Sequence, residues 1–283
     1  VKVAILGAGR LARAFAGRLG PEAVVWSRRG TPESAARRLD AAVRSAGIVL
    51  VAVPDGAIAG VARLLAERRR SLRGVVVLHA AGAYGPELLA PAAARGAKTG
   101  VLHPLASIGP RGAGALAGAS ARIEGDAAAV RAARRLAKRL GLVPLRGKGP
   151  KGPRGRAAYH AAASLAANDI VALLAAARDL LVVSGVSRRE AGPAVVALAA
   201  GVLENARRVG IEGALTGPVV RGDAGTLRAQ RAALDAADPL AAAAHRALSL
   251  RLVDRLEHAG ALHRETAAAL RKALRGPRGP ATV

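Results

Sequence analysis

Three polar residues recur at helical spacing in an otherwise apolar stretch: His160, Ser164 and Asn168. On one continuous helix they share a stripe about 80° wide, since each residue turns the chain by 100°. An imidazole in such a stripe suits proton donation to a developing alkoxide, and a carboxamide suits orienting a carbonyl or a cofactor amide. The alternative is that all three hydrogen-bond within a core or to a neighbouring helix, the common fate of buried polar groups. Two further histidines end apolar runs, His79 in Leu78-His79-Ala80-Ala81-Gly82-Ala83 and His103 in Gly100-Val101-Leu102-His103-Pro104. If those runs are parallel strands, both rings lie at the carboxyl ends where ligands bind; otherwise each is a loop histidine tied to backbone. Pro104 fixes the chain direction beside His103 and favours a functional reading there. In Thr216-Gly217-Pro218-Val219-Val220-Arg221-Gly222-Asp223 the aspartate is placed to cap a following helix. Arg221 either pairs with Asp223 or clamps a substrate carboxylate. Cysteine is absent and the six histidines supply no set of three or more ligands at metal spacing, so no metal site, disulfide or thiolate nucleophile is expected.

The elements that must position these groups begin at the first residues. Val3-Ala4-Ile5-Leu6 reads as a buried strand that breaks into Gly7-Ala8-Gly9-Arg10-Leu11-Ala12, a Gly-x-Gly-x-x-Ala fingerprint at the start of a helix. Gly7 permits the tight turn, Gly9 lets backbone approach a pyrophosphate, and Ala12 allows close packing of helix on strand. The free amides of that helix start would hold phosphates. A second strand, Ala23-Val24-Val25-Trp26, ends in Ser27-Arg28-Arg29, where dinucleotide enzymes usually carry an acidic residue for the ribose hydroxyls. A hydroxyl and two guanidiniums would instead bind a 2′-phosphate, which predicts NADP over NAD. The competing reading of Arg28 and Arg29 is solvated loop charge.

Strand and helix signals then alternate. Thr31-Pro32-Glu33 is an N-cap followed by proline at the first helical position. Ile48–Val53 is an apolar run closed by Pro54-Asp55-Gly56, and Val75–Leu78 and Gly100–Leu102 continue the series. Ser120–Ile123 is a candidate last strand before a basic helix near 126–140. The pattern implies an α/β fold, a doubly wound Rossmann-type parallel sheet over 1–145, followed by an all-α domain. The Gly-, Pro- and charge-rich segment 146–156 reads as a linker loop. Beyond it, helices are expected over about 157–183, 188–209, 224–234, 238–258 and 263–274, making a helical substrate and dimerisation domain over 157–275 and a frayed tail over 276–283. The polar residues inside 157–183 make it a buried helix of a soluble domain rather than a membrane span. The chain opens on a strand with no basic and apolar leader, and on that ground a cytoplasmic location is expected.

Of the 283 residues, 52% are hydrophobic, ample for a sizeable core, but only 1% are aromatic, so aliphatic side chains must fill it. The net charge of +25 raises nucleic-acid binding. Against that, the charge is spread along the chain as arginine, and stacking aromatics are nearly missing. Non-specific electrostatic binding to polyanions is what remains.

These features together resemble a family of oxidoreductases with a Rossmann-like N-terminal domain and an uncharacterised all-helical C-terminal domain. The resemblance rests on Gly7-Ala8-Gly9, Val53-Pro54-Asp55, Leu102-His103-Pro104, Tyr159-His160-Ala161-Ala162 leading to Asn168, and Thr216-Gly217-Pro218 with Arg221-Gly222-Asp223. More distantly the chain is similar to ketopantoate reductase, pyrroline-5-carboxylate reductase and the 6-phosphogluconate dehydrogenase group, which hold substrate between a Rossmann domain and a helical domain that often dimerises. The resemblance implies nucleotide-dependent redox chemistry, with Gly7 to Leu11, Ser27 to Arg29, Val53 and Pro54 at the cofactor and a homodimer built through the helical domain. Hydroxyacid dehydrogenases of the distant group use a lysine on the first long helix with an asparagine nearby. Here that region offers His160 and Asn168 without the lysine.

The expectation is therefore NADPH-dependent reduction of a small carbonyl compound, an α-keto acid among the candidates, in an interdomain cleft. His160 would be the proton donor, Asn168 and Ser164 its neighbours in the catalytic stripe, and His103, Arg221, His79 and Asp223 would line the substrate pocket. Three alternatives stay open: a dinucleotide-binding sensor or assembly protein without turnover, a basic nucleic-acid-binding protein, and a deazaflavin in place of NADP.

Overall fold

The computed structural model describes residues 1–109, 112–147 and 149–276. The tail expected over 276–283 falls, beyond Gly276, outside them. The chain divides into two compact units, Val1–Ala167 and Asn168–Val283.

The first unit is a seven-stranded sheet with helices on both faces. In chain order it runs β1 (Val3–Leu6), α1 (Arg10–Leu19), β2 (Ala23–Trp26), α2 (Pro32–Arg44), β3 (Ile48–Val51), α3 (Ile58–Arg68), β4 (Val76–His79), α4 (Ala90–Ala94), β5 (Lys98–Leu105), β6 (Ser120–Gly125), α5 (Ala127–Leu140), β7 (Val143–Pro144) and α6 (Gly152–Leu165). The sheet order is β2-β1-β3-β4-β5-β6-β7. Strand order reverses at β1, so the crevice between the ends of β1 and β3 is the place where such folds bind ligands.

β1 and β3 are buried along their whole length, as apolar strands covered on both faces must be. One face packs Phe15 of α1 and Leu136 and Leu140 of α5 against Ile5, Leu50, Leu78 and Leu102. The other packs Leu39 of α2 and Ile58 and Leu65 of α3 against Leu6, Val49, Val51 and Val77. Each such fully buried aliphatic side chain contributes about 1.5–3 kcal/mol. Thr31 caps α2 by accepting from Ser34 N at 3.3 Å, and Asp126 caps α5 by accepting from Ala129 N at 2.9 Å.

Four expectations need correction. The sheet is not wholly parallel, because β5 and β6 pair antiparallel. The described part of their connection holds only a 3-10 turn, Gly112–Leu116, whereas a parallel return is usually made by a crossover helix. The linker expected over 146–156 gives way to α6 at Gly152, since proline is tolerated in a helix's first turn and Pro153 stands there. The single helix expected over 157–183 is two: α6 ends at Leu165, and α7 (Asn168–Val183) begins the second unit. Neither has a fully buried residue, so the expected buried helix is absent too.

In the second unit α7 packs on α8 (Arg188–Gly213). α8 is regular up to Val209 and is interrupted at Gly210, whose φ of 82° only glycine adopts readily. α9 (Ala224–Ala237), α10 (Pro239–His258) and α11 (Arg264–Arg275) enclose a small core of Val219, Leu227, Val253, Leu270 and Leu274. No helix among the described residues is long and apolar enough to cross a membrane.

Candidate active site

The turn after β1 is tied to both neighbouring strands: Gly7 N donates to Trp26 O at 2.8 Å, and Ala52 N donates to Leu6 O at 2.8 Å. Gly7 has φ of 144°, and a side chain there would be driven into the carbonyl of Ala52. The fingerprint's first glycine is thus needed for its backbone angle and for the close approach of β1 to β3. Gly9, the N-cap of α1, is different. Its backbone is extended, nothing would meet an added Cβ within 4 Å, and no side chain caps the helix. The first amides of α1 therefore open onto free space, which is the arrangement an anion requires.

That space is a cavity of about 430 Å³. Of the ten residues expected at the cofactor, nine line it: Gly7, Ala8, Gly9, Arg10, Leu11, Ser27, Arg28, Val53 and Pro54. Arg29 does not; its carbonyl accepts from Arg38 on α2. Trp26, Asp55 and Ala80 are among the lining residues that reasoning from the sequence missed. Trp26 is buried and donates from Nε1 to Ala35 O at 2.8 Å, anchoring the β2 end to α2 just ahead of Ser27 and Arg28. Asp55 directly follows Val53 and Pro54, and its place just beyond a strand end was the signal that could have found it.

A second polar cluster lies along the carboxyl ends of β4 and β5. The antiparallel register sets Arg122 of β6 directly opposite His103 of β5, and Glu124 opposite Val101. Directly opposed residues share a face, so Arg122 and His103 are neighbours by construction. Arg122 is only 2% exposed, donating to Glu124 Oε2 at 2.6 Å and to the carbonyl of Tyr84 at 2.6 Å. α6 lays Arg156, Tyr159 and His160, at i, i+3 and i+4, over this group. Arg156 donates to Glu124 Oε1 at 2.5 Å and to Glu87 Oε1 at 3.1 Å. The Tyr159 hydroxyl lies 3.0 Å from His103 Nδ1, and the Arg122 guanidinium stands 5.3 Å from the Tyr159 ring centre. His160 and His103 are 6.3 Å apart between ring centres.

The histidines divide by role. His79, expected to line a substrate pocket, is fully buried. Its Nδ1 accepts from Ala81 N at 3.1 Å, which leaves the proton on Nε2 to be donated to Gly85 O at 2.8 Å. Both ring nitrogens are used by backbone, so His79 braces the β4 loop, and burial depresses its pKa. His103 is half-buried, and burial together with the Arg122 charge pushes its pKa down to about 4. His160 is exposed, with Ser164 half-buried one turn on. Burial raises the Tyr159 phenol to about 12 against the opposing pull of Arg122.

Asn168 does not join the His160 stripe on one helix: it opens α7 in the second unit and is exposed. Arg221 is an exposed loop residue of that unit. Asp223 caps α9, accepting from Thr226 N at 2.9 Å and Thr226 Oγ1 at 2.5 Å, and those bonds hold its carboxyl below the usual range. Its oxygens are thereby engaged in the cap instead of being offered to a substrate. Arg122 carries no local signal in the sequence, because its partner His103 lies on a different strand and the two meet only through the antiparallel turn.

A Gly-x-Gly turn on an uncapped helix at the strand-order reversal, followed by an all-helical unit, defines a Rossmann-type chain with a helical C-terminal domain. Residues 24–104 match the Rossmann-like domain, and residues 119–252, starting at β6, match the domain of unknown function DUF2520. The fold is similar to protein TM1727 from Thermotoga maritima, at TM-score 0.64 and 23% identity over 95% of this chain and 100% of that one. BF3122 from Bacteroides fragilis, to which an NADP oxidoreductase activity is attributed, gives 0.62 and 19% over 96% and 98%. A reductive aminase from Aspergillus terreus, in complex with NADPH and ethyl-5-oxohexanoate, gives 0.55 and 19% over 95% and 98%. No protein of curated function matches the sequence.

Proposed function

We propose that this protein is an NADPH-dependent oxidoreductase that reduces a small carbonyl compound. The observation that carries the reading is the cavity at the β1 and β3 ends, which gathers the open amides of α1 with Ser27 and Arg28. These residues fit the cofactor: amides without a capping side chain suit a pyrophosphate, and a hydroxyl beside a guanidinium suits a 2′-phosphate that a carboxylate would repel. Bound NADPH would supply a hydride to the carbonyl carbon. The carbonyl π pair then moves to oxygen, and His160 delivers the proton that neutralises it, regaining one from solvent because its ring is exposed. The likeness to a reductive aminase puts imines beside α-keto acids in the substrate panel.

The test is parallel calorimetric titration with NADPH and NADH in about 0.2 M salt, which screens surface charge. Selective NADPH binding is expected; equal affinities would remove Ser27 and Arg28 from the reading. Failure of both nucleotides would discard hydride chemistry from this cofactor and bring deazaflavin and nucleic-acid ligands forward. His160→Ala should lower turnover by roughly 10² to 10⁴ if the ring is the acid.

We also propose a homodimer through the helical unit. Support comes from α7 and α8, which leave Val171, Leu173, Val196, Leu198, Val202 and Leu203 exposed in the single chain, large apolar side chains that a second copy could cover. Sedimentation at graded concentration tests it.

A further inference from the structure

We propose that His103 is a permanently neutral hydrogen-bond donor that polarises the substrate's oxygen through Nε2, and that Tyr159 is the positioning residue that fixes this tautomer. The inference rests on the reductase reading and assigns the two imidazoles different tasks, His160 giving the proton and His103 holding the oxygen.

The geometry begins with the phenol. The Tyr159 hydroxyl has one proton to give, and the acceptor beside it is His103 Nδ1 at 3.0 Å. Burial keeps the phenol protonated, with Arg122 over the ring face only partly offsetting it, so the phenol has a proton to donate, while the same guanidinium, opposite His103 across the strand pair, opposes a second proton on the imidazole. With Nδ1 accepting, the one proton of a neutral imidazole is on Nε2.

Nε2 faces the loop after β4 at Gly82. A Cβ added to Gly82 would stand 2.8 Å from His103 Nε2 and 2.6 Å from His160 Nδ1, so both rings close on the same point. Gly82 has an ordinary backbone angle. Its missing side chain matters for space alone: any larger residue would push the two imidazoles apart. A nitrogen that must donate and a second ring open to solvent, converging at one place, can serve one oxygen in two ways as charge develops on it.

The charged and titratable groups facing His103 are Arg122 on β6, Tyr159 and His160 on α6, and His79 on β4. All three that carry or can gain positive charge disfavour protonation of the ring, and burial acts in the same direction.

The experiment is nitrogen NMR of histidine-labelled full-length protein between about pH 5 and about pH 8, with His103→Gln to identify the signals. The expected result is an unprotonated Nδ1 and a protonated Nε2 that hold throughout the range. A proton on Nδ1, or titration near the ordinary histidine value, would overturn the proposal. Tyr159→Phe keeps the ring and removes the lock, and it should give a mixture of tautomers; an unchanged tautomer would exclude Tyr159 as the positioning residue. Once a substrate is in hand, His103→Gln should lower kcat by roughly 10² to 10³, the loss typical of one such donor, and Gly82→Ala should lower kcat with NADPH affinity unchanged. Failure to bind NADPH would defeat the reductase reading while leaving the NMR result to decide the tautomer, so the two failures are distinguishable.

Discussion

Two helices rich in alanine, valine and leucine, α5 in the first unit and α8 in the second, use their apolar residues in opposite ways. α5 hides Ala129, Ala132, Ala133, Leu136, Ala137 and Leu140 against the sheet and turns Arg131, Arg134, Arg135 and Lys138 to solvent. α8 is nearly twice as long yet hides only Ala191 and Val195, and presents Val196, Leu198, Val202, Leu203 and Val209 to solvent. The sheet gives α5 a surface that its own unit supplies. Among the described residues of the second unit α8 meets no such surface, so the apolar content that makes one helix a complete part leaves the other an incomplete one.

The sharpest way to break this comparison is a matched pair of truncations. Leu78→Ala, in the sheet core, should destabilise the protein by about 2–5 kcal/mol in denaturant unfolding. Leu203→Ala should change the stability of the isolated chain by no more than about 0.5 kcal/mol, and should instead weaken self-association in sedimentation. A large loss of monomer stability from Leu203→Ala would show that α8 has a partner within the chain.

A smaller effect is expected at the β1 turn. Gly7→Ala forces a left-handed angle on a residue with a side chain and sets its Cβ against Ala52 O, with strain of about 1–3 kcal/mol. Thermal unfolding should show that loss, and calorimetry should show NADPH binding abolished. Gly9→Ala at a spot with open space should leave stability nearly unchanged and weaken only nucleotide binding. The smallest change is at the β2 end, where Arg28→Glu should reduce the preference for NADPH over NADH by roughly tenfold to a hundredfold, the worth of one charge-assisted hydrogen bond, with no change in unfolding.

What could be read from the sequence follows the same division. Gly7, Gly9 and the strand before them form a local pattern whose physics is complete within a dozen residues, and the cavity lies where that pattern puts it. Thr31 and Asp223 could likewise be recognised as caps, because a cap depends on amides three residues away. The break between α6 and α7 left no such mark: Ala161 to Ala167 contains no glycine or proline, and only the local hydrogen bonds of Ala166 and Ala167 show the helix ending. The pairing of His103 with Arg122 was hidden for a different reason, since it depends on a strand reversal that no neighbouring residue encodes.

Trp26 has been described as an anchor, but it is also the only indole in the chain and lies in the wall of the cavity. Its emission therefore comes from one known place, free of any second source. Reduced nicotinamide nucleotides absorb in the region where indoles emit, so a dinucleotide held in that wall would quench Trp26 by energy transfer. The protein thus carries its own optical probe of occupancy, with no label to attach and no residue to replace.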